Sequence, residues 1–235
     1  PDIRTQLIGT AHLAPGPEPR ATPIRGALLT DAELDHTTGL LLLREGAGLH
    51  VWAPAAVVSA LTTDFPVRDI VGRYHDWTWH AVETTPFDVG DLRCQAFPLH
   101  DKPPRYAERR TGSWAVAYRI EDPATGGVLV YAPCLGTWPA GFDEFVTGAD
   151  CVLLDGTFYS ADELAPTTGG QHSMGHLPIA GSDGSLAALR RHAGIRWIYT
   201  HLNNTNPLLD NTSPLFTDLR AAGADVLADG TEIDL

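Results

Sequence analysis

Apolar runs of a few residues recur along the 235-residue chain, and most of them stop at a carboxylate, a histidine or a glycine-rich turn. Gly26-Ala27-Leu28-Leu29 has the pattern of a short buried strand, and Thr37 to Leu43 that of a helix entering a core. Leu49-His50-Val51-Trp52 reads as a second strand, after which Pro54 opens a helix through Leu61. From Tyr74 to Glu83 bulky and small residues alternate as in a half-buried strand; His75 and His80 lie an odd number apart, cannot share one of its faces, and read as structural. Leu92 to His100 is a further strand ending in a histidine.

Trp114–Ile120 and Val128–Tyr131 flank the turn residues Asp122 to Gly127 and predict a β-hairpin. Pro139 to Val146 predicts a short helix, and Cys151-Val152-Leu153-Leu154 a strand buried on both faces that ends on Asp155. Ser182 or Asp183 can cap a helix through Leu189 that Gly194 stops. Ile195 to Thr200 is then a strand delivering His201. Ser213-Pro214 starts a last helix ended by Gly223, and Val226-Leu227 with Ile233 predict a closing hairpin. Residues 10–25, with Pro15, Pro17, Pro19 and Pro23, predict a surface loop. Strands alternating with helices give an α/β class, expected as one domain over residues 1–235.

Composition narrows the function more than the fold. The chain is 43% hydrophobic and 8% aromatic, ordinary for a globular protein. A net charge of −13 and a pI near 5.0 argue against nucleic acid, which needs a basic surface to replace phosphate counterions. The three cysteines, Cys94, Cys134 and Cys151, form no Cys-x-x-Cys pair and read as buried thiols of a reducing compartment. No apolar run approaches the roughly 18 residues of a membrane span, and the start has no signal-peptide pattern, so a cytoplasmic location without a membrane partner is expected. A Gly-x-Ser-x-Gly elbow fails because Gln171 stands two before Ser173; a P-loop and a Gly-x-Gly-x-x-Gly turn are also lacking.

The chemistry concentrates at strand ends. Asp31, Glu33, Asp35 and His36 lie on the turn between the first strand and the following helix, where open α/β sheets carry their sites. Carboxylates two apart crowd negative charge unless a cation sits among them; the competing reading is that they cap the helix. Asp155 repeats the arrangement after a buried strand. Together Asp35 with His36, Asp155 and His201 predict a metal site, with His100 as a neighbour. His172 and His176 lie on a glycine-rich loop, and His176 is expected as a proton donor or substrate contact. Arg105, Arg109 and Arg110 could hold an anionic group of a substrate, and Asn203 and Asn204 could hydrogen-bond a ligand.

The acidic turn resembles the His-x-His-x-Asp-His signature of the metallo-β-lactamase superfamily, with Asp31 and Glu33 standing where the first two histidines belong and Asp35-His36 unaltered. In that pattern Asp35, His36 and His201 supply two imidazoles and one carboxylate, the facial set of non-haem iron(II). Asp31 and Glu33 either favour a harder cation or act as acceptors that orient the ligands. Pro1-Asp2-Ile3-Arg4, Gly39 to Gly46, Tyr131-Ala132-Pro133, Asp155-Gly156-Thr157, Met174-Gly175-His176-Leu177 and His201-Leu202-Asn203-Asn204-Thr205-Asn206-Pro207 further resemble the PqqB family of pyrroloquinoline quinone (PQQ) biosynthesis, from the first residue to the last.

That resemblance implies a metallo-β-lactamase-like αββα sandwich and a role in making PQQ from a peptide containing Glu and Tyr. It implies iron(II)-dependent hydroxylation of the tyrosine, with zinc as the alternative metal. A carrier taking PQQ or its precursor to the periplasm, and a metal-dependent hydrolase, are the competing functions. The partner is a tyrosine-containing peptide or PQQ precursor, and a homodimer is compatible with it. The family's Gly-rich strand, Cys-x-Cys-x-x-Cys zinc motif and two further strands would precede Pro1, so the N-terminal part of one sheet is expected to be missing from this chain. Asp31 and Glu33 also depart from the family's usual Asn and Asp.

Overall fold

The computed structural model describes residues 2–18, 21–46, 48–164 and 174–235. His172, with Gln171 and Ser173, lies outside them. The chain divides into two compact units, Pro1–Glu83 with Asp101–Ala115 and Thr84–His100 with Val116–Leu235.

In the first unit helix α1 (Ile3–Gly9) precedes a three-stranded parallel sheet of β1 (Gly26–Leu28), β2 (His50–Pro54) and β3 (Thr78–Val82), in that order. Between β1 and β2 run α2 (Leu34–Thr37) and a 3-10 segment, Thr38–Leu43; α3 (Ala55–Thr63) and α4 (Val67–Val71) follow β2. Strand alternation explains the packing: Val51 and Ala53 enter a core with Ala56, Val57, Ala60, Leu61, Val67, Val71 and Trp114. His50, Trp52 and His80 instead stack on one another, the two histidine rings 5.2 Å apart.

The second unit holds a seven-stranded sheet, ordered β10-β9-β8-β7-β6-β5-β4. Its strands are β4 (Phe87–Val89), β5 (Leu92–His100), β6 (Ala115–Glu121), β7 (Val128–Ala132), β8 (Cys151–Asp155), β9 (Arg196–Thr200) and β10 (Ala224–Val226), with helices α5 (Phe142–Val146), α6 (Ser185–Leu189) and α7 (Pro214–Ala221). The β6–β7 hairpin is antiparallel, and β7 to β10 are parallel. Central β8 is buried nearly throughout, as its unbroken apolar run requires. Register decides the site: Asp155 pairs with Thr200, setting it beside the residue before His201.

Several expectations are corrected. The helix at the acidic turn starts at Leu34 rather than Thr37, and from Thr38 it tightens into 3-10 geometry, since Thr38 and Gly39 are poor helix formers. His36 therefore sits inside a helical turn. The closing hairpin is replaced by the parallel pairing of β10 with β9, because α7 carries the chain back along the sheet before β10 begins; Leu227 and Ile233 lie in no strand. Helix α6 begins after Gly184 without a side-chain cap from Ser182 or Asp183. Strand β4, which the apolar pattern did not predict, pairs with β5: Gly90, at φ +62°, makes the two-residue Gly90-Asp91 turn of a hairpin. Among the described residues no helix is long and apolar enough to cross a membrane.

Phe142 is fully buried and touches Phe97, Trp138 and Phe145 with ring centroids 5.6, 5.1 and 6.1 Å away. Phe142→Ala should cost about 3–5 kcal/mol of stability in urea unfolding, whereas Ile70→Ala at exposed Ile70 should stay within about 0.5 kcal/mol. Equal effects would contradict this core.

Candidate metal centre

In the second unit the site is built around one buried carboxylate. Asp155 is 1% exposed, and a charge so placed is tolerated only when its oxygens are hydrogen-bonded. Oδ1 accepts from the Thr157 N–H at 3.0 Å and the Thr157 hydroxyl at 2.7 Å. Oδ2 accepts from the Leu135 N–H and from His176 Nδ1, both at 2.7 Å. Thr157 Oγ1, having donated to Asp155, accepts from His201 Nδ1 at 2.8 Å and lies 3.0 Å from His176 Nδ1. In both histidines Nδ1 is the nitrogen engaged by these acceptors, which leaves Nε2 as the ring nitrogen for a metal or a proton. The two rings are 5.4 Å apart, and Asp155, His176 and His201 each place a donor atom within 4.8 Å of the other two.

The supports are local. Gly156 allows close approach, since a Cβ there would lie 2.8 Å from the Thr200 carbonyl. Buried Asn206 donates to the Gly156 carbonyl at 2.7 Å and accepts from the Leu208 N–H at 3.0 Å, pinning the loop after β9 to the loop after β8. His201 itself has φ +60°, a conformation rare outside glycine that costs energy and marks a constrained position.

The first unit repeats the device. Asp31, 4% exposed, accepts from His36 Nδ1 at 2.7 and 2.8 Å, from the Glu33 N–H at 2.9 Å and from the Thr30 hydroxyl at 2.8 Å. Burial alone would raise the Asp31 carboxyl, but the His36 ring and the other donors outweigh it and hold it below the ordinary value. For His36 burial opposes the charged form, and Asp31 more than compensates, raising the imidazole. Tyr106 donates to the Ala32 carbonyl at 2.6 Å, and burial, with the charges of Glu33, Asp64 and Asp31, pushes its phenol up to about 12.

Residues 1–202 match the model of the Beta-lactamase superfamily domain. Over 246 residues the chain is 37% identical to coenzyme PQQ synthesis protein B of Pseudomonas savastanoi pv. phaseolicola, covering 100% of this chain and 81% of that protein. The chain belongs to the coenzyme PQQ synthesis protein B family. The protein of the same name from Acinetobacter baumannii is 35% identical with the same coverage. Zinc-bound PqqB from Methylobacterium extorquens matches with a TM-score of 0.89 at 28% identity, over 100% of this chain and 81% of that chain. The metallo-β-lactamase fold expected from the strand-end motifs is therefore established, as is membership of a PQQ biosynthesis family.

The residues singled out in the sequence of this PqqB-family chain take different places. Asp35 and His36 belong to the first unit and His201 to the second. Asp31 faces His36 as an orienting acceptor, one of the two roles the sequence left open. Glu33 and Asp35 are exposed, Asp35 Oδ2 lying 3.5 Å from His36 Nε2. Asp155 accepts from His176, Thr157 and Leu135, and its carboxylate remains one of the three donor groups gathered with His176 and His201. His100 ends β5 facing Gly175, where a Cβ would lie 3.8 Å from its Nε2. Arg105 and Arg109 are exposed, Arg109 near Asp101 at 3.4 Å. Arg110 is corrected: both Nη atoms bind Asp64, at 2.5 and 2.8 Å, holding the Asp64 carboxyl well below the usual range, so this guanidinium anchors the loop. Asn204 is exposed, and the Asn203 side chain donates to Thr205. Sequence reasoning missed Thr157 and Asn206, although both stand inside motifs already singled out.

Thr157→Val keeps the shape but removes the shared hydroxyl; it should weaken metal binding about 10–100-fold by titration, while Thr157→Ser restores it. Without metal, the Asp31–His36 pair should give a bell in stability against pH. The Asp31 contribution is present above its unfolded value of 3.8 and fades as pH falls through its lowered folded value; that of His36 is present below 6.5 and fades as pH rises through its raised folded value. Urea unfolding across pH should show this plateau, and Asp31→Asn should flatten it.

Proposed function

We propose that this chain is an iron(II)-dependent hydroxylase that acts on the tyrosine of a peptide precursor in PQQ biosynthesis. The observation that carries the reading is the pair of imidazoles, His176 and His201, whose Nδ1 atoms are held by Asp155 and Thr157 so that each Nε2 is set to bind a metal or move a proton. This donor chemistry fits a metal, because a neutral imidazole whose other nitrogen is hydrogen-bonded is the usual form of a histidine ligand.

The ligand roles of Asp35, His36 and His201 rest on the sequence motif, with Asp31 orienting His36. Iron(II), once bound, would supply the redox chemistry that joins oxygen to a phenol ring. His176 takes the phenol proton at Nε2, and the Asp155 carboxylate on its Nδ1 stabilises the imidazolium that results. The exposed guanidiniums of Arg105 and Arg109 hold the acidic residue of the peptide through paired hydrogen bonds.

Iron-loaded protein given a reductant and a tyrosine-containing peptide should consume oxygen, and His36→Ala or His201→Ala should abolish the uptake. Arg109→Ala should raise KM several-fold with little change in kcat, the mark of lost uniform binding. Tight PQQ binding without oxygen uptake would replace this reading with that of a carrier.

A further inference from the structure

Cys134 follows β7 by two residues and is buried, 5% exposed. The next residue, Leu135, gives its N–H to Asp155 Oδ2 at 2.7 Å, which fixes this turn of chain to the carboxylate that also anchors His176. The Leu135 carbonyl accepts from the Leu177 N–H at 2.6 Å, so the segment carrying His176 is tied to the same place. Cys134 Sγ lies within 4.8 Å of a ring nitrogen of His201. The thiol therefore stands beside the His201 ring, on the residue preceding Leu135, whose two hydrogen bonds tie this segment to Asp155 and to Leu177.

We propose that Cys134 is a thiolate ligand of the metal that His201 binds. The inference rests on the metal-centre reading above. Zinc–sulfur and zinc–nitrogen bonds of about 2.3 and 2.0 Å bridge such a pair after a small side-chain closure. On binding, the S–H bond breaks, the proton leaves to solvent and a metal–sulfur bond forms, so one proton is released for each metal taken up by this ligand. Cys94 and Cys151 do not compete for the role. They lie on strands β5 and β8, and neither belongs to a metal-capable group among the described residues.

A thiolate changes what the centre prefers. It is a softer donor than imidazole or carboxylate, and it raises the affinity for zinc over iron(II) relative to a site of nitrogen and oxygen alone. Cys134→Asp should shift that preference back toward iron.

Cobalt(II) is the probe, because a cobalt–thiolate bond gives a sulfur-to-metal charge-transfer band in the near ultraviolet. The cobalt-loaded wild-type protein should show the band, Cys134→Ser should lose it, and Cys94→Ser and Cys151→Ser should keep it. Cobalt bound without the band, or a band that survives Cys134→Ser or vanishes in either of the other two variants, overturns the thiolate ligand and leaves the metal centre standing. A wild-type protein that binds no cobalt overturns both. If Cys134→Ser does not fold, the wild-type spectrum with the two control variants still decides.

Discussion

A carboxylate buried at the end of a central strand is the constraint on which the second unit depends. An ionised group without donors would be costly there, by far more than one lost hydrogen bond, so the chain around Asp155 has to bring donors to it. The Leu135 N–H comes from the loop after β7, the Thr157 N–H and hydroxyl from the loop after β8, and the His176 ring from a segment far along the chain. Three connections that could otherwise vary are thereby fixed against one another. The geometry of the histidines follows from satisfying Asp155.

The same requirement accounts for the backbone around it. Thr157 can reach both Asp155 and His201 only if the chain turns sharply after β8, and Gly156 permits this by leaving no Cβ against the Thr200 carbonyl. Asn206 then holds two strand-end loops together, and His201 accepts a positive φ to stay in place. Local strain of that kind persists where surrounding contacts over-determine it. Here the contacts are identifiable: the Asn203 N–H to the Thr157 carbonyl on one side and the Gly156 N–H to the Thr200 carbonyl on the other.

Much of this was legible in the sequence, and the limits have physical causes. The apolar run Cys151–Leu154 announced a central strand, and strand ends at Asp155, His201 and His100 were visible because their residues break apolar runs. The β6–β7 hairpin was readable from Asp122 to Gly127 for the same reason. Helix α1, with no buried residue, leaves no periodic trace, and α4, at five residues, is too short to show one. Strand β10 was assigned to a hairpin because pairing direction depends on where α7 returns the chain, which local pattern does not encode. Thr157 and Asn206 were overlooked because an uncharged hydroxyl or amide advertises no chemistry until its partners are known. The role of Arg110 likewise depended on Asp64, a contact distant in sequence.

The roles of the carboxylates also bear on the character of the metal. Read from the sequence, Asp31 and Glu33 either favour a harder cation or act as acceptors that orient the ligands, and Asp155 belongs to the expected metal site. In the structure Asp31 and Asp155 are turned inward: Asp31 gives both oxygens to His36 Nδ1, and Asp155 divides its own among Leu135, Thr157 and His176. An acidic residue used in this way acts on the imidazole. By accepting a hydrogen bond from Nδ1–H it fixes the tautomer and increases the basicity of Nε2, strengthening a nitrogen donor. Abundant acid near a strand end therefore serves imidazole donors as well as offering oxygen ones, Asp31 acting on His36 and Asp155 on His176.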